Sequence, residues 1–88
     1  MDTLPKSYLA ESERQREGLT KNSLYLMESM AAGQAGDEET AWKWLSYASL
    51  PAHTLRRLKN NHGPGFIRKM GLRTETADIE YGKGWLDE

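Results

Sequence analysis

The chain has 88 residues, 38% of them hydrophobic, no cysteine and a formal net charge of −1. A mean hydropathy of −0.79 makes it lean in core-forming residues. One domain over residues 1–88, marginal in stability or helped by a partner, is therefore expected. The missing Cys excludes a disulfide scaffold, and no apolar run reaches membrane-spanning length. Met1-Asp2-Thr3-Leu4-Pro5-Lys6 lacks the basic start and apolar stretch of a signal peptide, so a cytoplasmic address without a membrane partner is expected.

Charge is segregated along the chain. Residues 1–40 hold eight acids against four bases, residues 41–74 hold seven bases and no acid, and residues 75–88 hold five acids against one base. The acid-free stretch from Ala41 to Thr74 gains no i,i+4 ion pairs within itself, whereas an ordinary solvated helix mixes its signs. A local positive field of this kind steers a polyanion even when the whole molecule is slightly acidic.

In chain order, the spacing predicts a first helix over Pro5 to Glu17, with Thr3 as N-cap and Gly18 as stop. Its apolar face is thin, limited to Leu4, Tyr8, Leu9 and Ala10. A second helix is predicted from Thr20 to about Ala32, with Leu24, Met27 and Ala31 facing inward and Leu26 and Met30 broadening that face. Gly33-Gln34-Ala35-Gly36 reads as a flexible joint. Within the single domain, residues 1–36 are expected to be a helical hairpin or dimerisation extension, and residues 37–88 a helix-turn-helix-like unit. A third helix begins at Asp37 as N-cap, with Glu38 and Glu39 in the first turn, and carries Ala41, Trp44, Leu45 and Ala48 at i, i+3, i+4 and i+7.

Ser49-Leu50-Pro51 breaks that pattern and restarts it, Ser49 serving as a cap and Pro51 lying in the first turn. The fourth helix, from about Leu50 to Asn60, turns Ala52, Leu55 and Leu58 inward and His53, Arg56, Arg57 and Lys59 outward. Two helices so tightly joined, the second basic, match a helix-turn-helix pair. Pro64 and Gly65 fit the centre of a type II turn. Phe66, Ile67 and Met70 form an apolar patch, Leu72, Thr74 and Thr76 alternate like a short strand, and Trp85-Leu86 either closes the core or docks into a neighbouring chain. The predicted fold is mainly α: about four helices with a helix-turn-helix-like pair and a short C-terminal β-ribbon.

Catalytic chemistry finds no foothold. His53 and His62 are nine residues apart with no carboxylate between them, no thiol exists, and no glycine-rich loop has phosphate-binding spacing. Asp37, Glu38 and Glu39 are explained by helix capping. No enzyme activity, metal or cofactor is expected. Nucleic-acid binding asks less. Arg56 and Arg57 suit bidentate contact with guanine. His53 is read as a surface or DNA-phosphate contact, and Lys43, Lys59, Arg68, Lys69 and Arg73 as phosphate clamps.

The run Leu50-Pro51-Ala52-His53-Thr54-Leu55-Arg56-Arg57-Leu58, followed by Gly63-Pro64-Gly65-Phe66-Ile67-Arg68, Gly71 and Trp85-Leu86, resembles the phage excisionase and small prophage-regulator class of winged helix-turn-helix proteins. The resemblance implies that Thr54, Arg56 and Arg57 face DNA and that Gly63 to Gly65 precede a small wing. In place of the basic, aromatic wing of that class, this chain has Thr74-Glu75-Thr76-Ala77-Asp78. Two functions follow as expectations. The first is a non-catalytic regulator of transcription or architectural protein of a phage or mobile element, dimeric, with double-stranded DNA as partner. The alternative is an adaptor or inhibitor whose protein partner is an acidic surface on a larger nucleic-acid enzyme.

Overall fold

The computed structural model describes residues 4–88. The chain is mainly helical: α1 (Glu11–Arg14), α2 (Lys21–Gln34), α3 (Glu38–Tyr47), α4 (Ala52–His62), α5 (Pro64–Met70) and α6 (Glu75–Tyr81), then a 3₁₀ turn over Trp85–Asp87. These six helices replace the expected four, and the described residues contain no strand. No helix among them is long and apolar enough to cross a membrane. The fold divides into two compact units, Met1–Ala48 and Ser49–Glu88. The division expected at Gly36 and Asp37 falls inside the first unit, between α2 and α3, which pack on each other.

In the first unit the expected helix over Pro5 to Glu17 shrinks to the single turn of α1, and its expected cap Thr3 lies outside the described residues. Tertiary bonds take over the backbone that the helix would have used. The buried Glu28 carboxylate accepts the N–H groups of Tyr8 and Leu9 through Oε1, at 2.8 and 3.0 Å. The Trp44 indole N–H donates to the Lys6 carbonyl at 2.8 Å. Lys6 to Leu9 is thereby held as a non-helical strap. The Tyr8 hydroxyl fixes it further by donating to Asp37 Oδ2 at 2.7 Å.

Thr20 caps α2 by accepting the Ser23 N–H. The predicted helical period holds but its phase is off by one residue. Tyr25 and Ser29 turn to α3 and Glu28 to the strap, and with Ala32 they stand at i, i+3, i+4 and i+7 in place of Leu24, Met27 and Ala31. Glu28, Ser29 and Ala32 are buried, while Met30, expected inside, is 66% exposed. Small side chains let the helices approach. Ser29 donates its hydroxyl proton to the Ala41 carbonyl, and the Tyr25 ring stacks on Trp44 at 5.9 Å.

The expected flexible joint after α2 is a closed turn. Asp37 N–H donates to the Ala32 carbonyl and Gly36 N–H to that of Gly33, the paired bonds of a Schellman motif. Gly36, at φ 85°, supplies the left-handed residue this motif requires. Asp37 then starts α3, as predicted, by accepting the Thr40 N–H.

In the second unit α5 and α6 pack on α4 around Leu55, Ile67, Ala77 and Trp85. Pro51, not Ser49, is the last residue before α4. Leu50 is drawn into the core and its carbonyl accepts the Thr76 hydroxyl, so the helix cannot begin before it. The expected type II turn at Pro64-Gly65 is absent. Gly63 takes the positive φ, 89°, and Pro64 opens α5, because its locked φ suits the first helical position. The short strand expected over Leu72 to Thr76 is absent, and its last two residues instead open α6. Glu75 and Asp78 lie in its first turn, where the positive end of the helix dipole favours carboxylates. Trp85 is 2% exposed and closes this core, donating its indole N–H to Asp78 Oδ1 at 2.9 Å.

Candidate nucleic-acid interface

The residues proposed from sequence to contact DNA sit in different settings. Lys43 lies on α3 in the first unit and pairs with Glu39 at 3.4 Å across one helical turn. The other eight, His53, Thr54, Arg56, Arg57, Lys59, Arg68, Lys69 and Arg73, lie in the second unit. Lys59 is turned back on its own unit: its ammonium donates to the Trp85 carbonyl and to that of Glu88, and lies 5.8 Å from the Trp85 ring centre. Arg68 pairs with Asp87 at 2.7 Å and Arg73 with Glu75 at 3.2 Å. The Glu75 carboxyl titrates below its ordinary value, through its own backbone N–H first and Arg73 second.

What remains is concentrated on α4. Its amphipathic pattern buries Leu55, half-buries Leu58 and leaves His53, Arg56, Arg57 and Asn60 exposed. Those four positions are i, i+3, i+4 and i+7, one continuous stripe along the helix. Thr54 is half-buried beside it. Asn60 was not among the residues proposed from sequence, although the same 3.6-residue period that selects His53, Arg56 and Arg57 also selects it. Over eleven residues α4 runs about 16 Å, and neither α4 nor α5 contains an acid.

Within the stripe Arg56 is held in place. Its guanidinium carbon lies 4.7 Å from the centre of the Tyr81 ring, and that ring is in turn tilted against Trp85 at 6.0 Å. Arg57 and, on α5, Lys69 are exposed and make no ion pair among the described residues. His62, at the end of α4, stacks on Phe66 at 4.3 Å. Among the described residues no three His, Cys, Asp or Glu side chains gather to hold a metal ion. A concavity of about 480 Å³ lies in the first unit, lined by Ser7, Leu9, Glu11, Arg14, Gln15 and Leu24, and involves none of the proposed residues.

No protein-family model, curated protein or solved structure matches the chain. The functional reading therefore rests on the α4 stripe and its chemistry.

Proposed function

We propose that the protein is a small non-catalytic DNA-binding regulator or architectural protein that lays α4 into the major groove of a duplex. The observation that carries this reading is the exposed stripe His53, Arg56, Arg57 and Asn60 on a helix with no acidic residue. An α-helix fits the major groove, Arg pairs with the O6 and N7 acceptors of guanine, and Asn pairs with the N6 and N7 edge of adenine. Lys69 on α5 neutralises a phosphate and His53 at the start of α4 contacts one, which sets affinity without reading sequence. Arg68 and Arg73 would have to exchange their carboxylate partners for phosphate. Lys59 acts within its own unit instead, tying the C-terminal turn to α4. The resemblance to the excisionase class adds to this reading, with Thr54, Arg56 and Arg57 toward the duplex. Dimerisation would place two such helices on successive half-sites.

The test is a gel-shift series on duplex DNA from about 50 to 200 mM salt. Wild type is expected to bind at low salt and to weaken steeply as salt rises, and Arg56→Ala with Arg57→Ala to weaken binding by at least about tenfold. Binding that ignores salt, or no binding at low salt, removes the proposal.

One observation favours the second reading, an adaptor docking on an acidic protein. Ile79 on α6 is 86% exposed, an apolar anchor that a protein partner covers and a phosphate backbone does not need. A co-purifying protein lost on Ile79→Ser, with no gel shift by DNA, would select it.

A further inference from the structure

Most of the cations in the second unit are either tied to an internal partner or unpaired on the surface. Arg56 is neither. It is exposed, makes no hydrogen bond or ion pair among the described residues, and rests over the Tyr81 ring at 4.7 Å. That ring is anchored in depth. Tyr81 is half-buried at the end of α6 and lies against Trp85, whose indole is bonded to Asp78 and whose carbonyl receives the Lys59 ammonium. Trp85 thus does more than close a core: it packs against the ring on which one arginine of the α4 stripe rests.

A guanidinium over a ring face keeps N–H donors directed away from the ring, still able to bond an acceptor pair. It also gives up little further rotamer freedom when it does so, whereas a free arginine such as Arg57 must be immobilised at the moment of contact. Fixing an arginine in space lowers the ordering cost of a phosphate contact too, but phosphates recur along the whole duplex, so discrimination gains nothing there. It gains where an acceptor pair has one geometry at one place. In the major groove that pair is O6 and N7 of guanine.

We infer that Arg56 is the guanine-reading residue of the α4 stripe and that Tyr81 is its positioning residue, so that the preferred ligand is a duplex with a guanine at a defined place in the site. This inference rests on the DNA-binding reading and goes beyond it by naming which residue discriminates and what holds it.

The test begins with selection of bound duplexes from a random pool by the full chain, followed by competition binding. Wild type is expected to enrich one guanine position and to lose about tenfold in affinity when that guanine is replaced by 7-deazaguanine, which lacks the N7 acceptor. Tyr81→Phe, which keeps the ring, should retain that discrimination. Tyr81→Leu, checked for an unchanged far-ultraviolet circular dichroism spectrum, should reduce it at least several-fold and leave the salt dependence of binding unaltered. The salt dependence separates a positioning role from a general loss of structure. Salt-sensitive binding with no guanine preference overturns the inference and leaves the DNA-binding reading standing. So does a 7-deazaguanine effect that is unchanged in Tyr81→Leu or in Arg56→Gln. Absence of duplex binding at low salt removes both. The 7-deazaguanine arm needs no protein variant, so the inference stays testable if Tyr81→Leu does not fold.

Discussion

The two units each close a small core on a tryptophan but differ in what else they bury. Residues 1–48 carry eight acids and five bases and bury a carboxylate: Glu28 gathers the strap through backbone N–H groups, and Asp37 and Trp44 hold it at two further points. Residues 49–88 carry seven bases and five acids and gather three short helices around Leu55, Ile67 and Trp85. Both units bury a tryptophan, but the first also buries a carboxylate that gathers backbone N–H groups, whereas the fully buried side chains of the second are apolar. The difference teaches that the exposed basic stripe is attached to the unit whose interior is apolar, where its charges meet no buried carboxylate of that unit.

The comparison can be broken most severely at Trp85. Trp85→Ala removes the largest buried side chain of the second unit and is expected to cost about 3–5 kcal/mol, read by urea unfolding. Signals from Arg56 and Tyr81 should change with it, whereas the Tyr8 and Leu9 amides should stay protected from hydrogen exchange. Next comes Glu28→Ala, which strands those two amides and removes the partner of Arg14, whose Nε lies 3.7 Å from Glu28 Oε2. Its expected cost is about 1–3 kcal/mol, because release of the strap lets water reach the amides. Loss of exchange protection at Tyr8 and Leu9 with no change in the second unit would sharpen the contrast, and unchanged protection would refute it.

A smaller effect is expected from Gly36→Ala. The added methyl meets nothing within 4 Å, so the cost is purely that of holding φ at 85°, about 1–2 kcal/mol in thermal or urea unfolding. The mildest test is pH. Asp37 is lowered to about 2 by the Tyr8 hydroxyl first and then by Thr40. A lowered folded value means stability that is present above the ordinary carboxylate range and lost as pH falls through about 2. Tyr8 is raised, by its hydrogen bond to Asp37 first, so its contribution is complete below the ordinary phenol value and lost as pH rises through the folded one. Trp44 fluorescence followed toward both extremes should show the strap loosening at each, and Asp37→Asn should flatten the acid limb.

Much of the fold was legible where local rules act alone. Asp37 as the start of α3, Thr20 at the start of α2 and the inward Trp44, Ala48 and Leu55 all follow from capping chemistry and helical period, while folding decided that Trp85 is buried in its own chain. The phase of α2 was not legible, since hydrophobicity prefers Leu24 and Met27 to Glu28 and Ser29, and only the strap and α3 give those polar residues their partners. The exposed part of the candidate site, His53, Arg56 and Arg57, was read from the α4 pattern, and Asn60 lay in that same pattern unread. The internal commitments of Lys59, Arg68 and Arg73 were invisible because their partners, Trp85, Asp87 and Glu75, are chosen by folding. Glu75 is a near neighbour in sequence, two residues from Arg73, and stands in the first turn of α6 where a ribbon was expected.

The sequence by itself determined that the chain is mainly helical and that its central segment lacks acids, because period, capping and charge are properties of neighbouring residues. Only the tertiary structure decided that Lys6 to Leu9 is a strap, that residues 75–81 are a helix, and which of seven central cations remain outward. Those outcomes depend on groups tens of residues apart, Glu28 with Tyr8 and Lys59 with Trp85, whose bonds outweigh local preference once water is excluded around them.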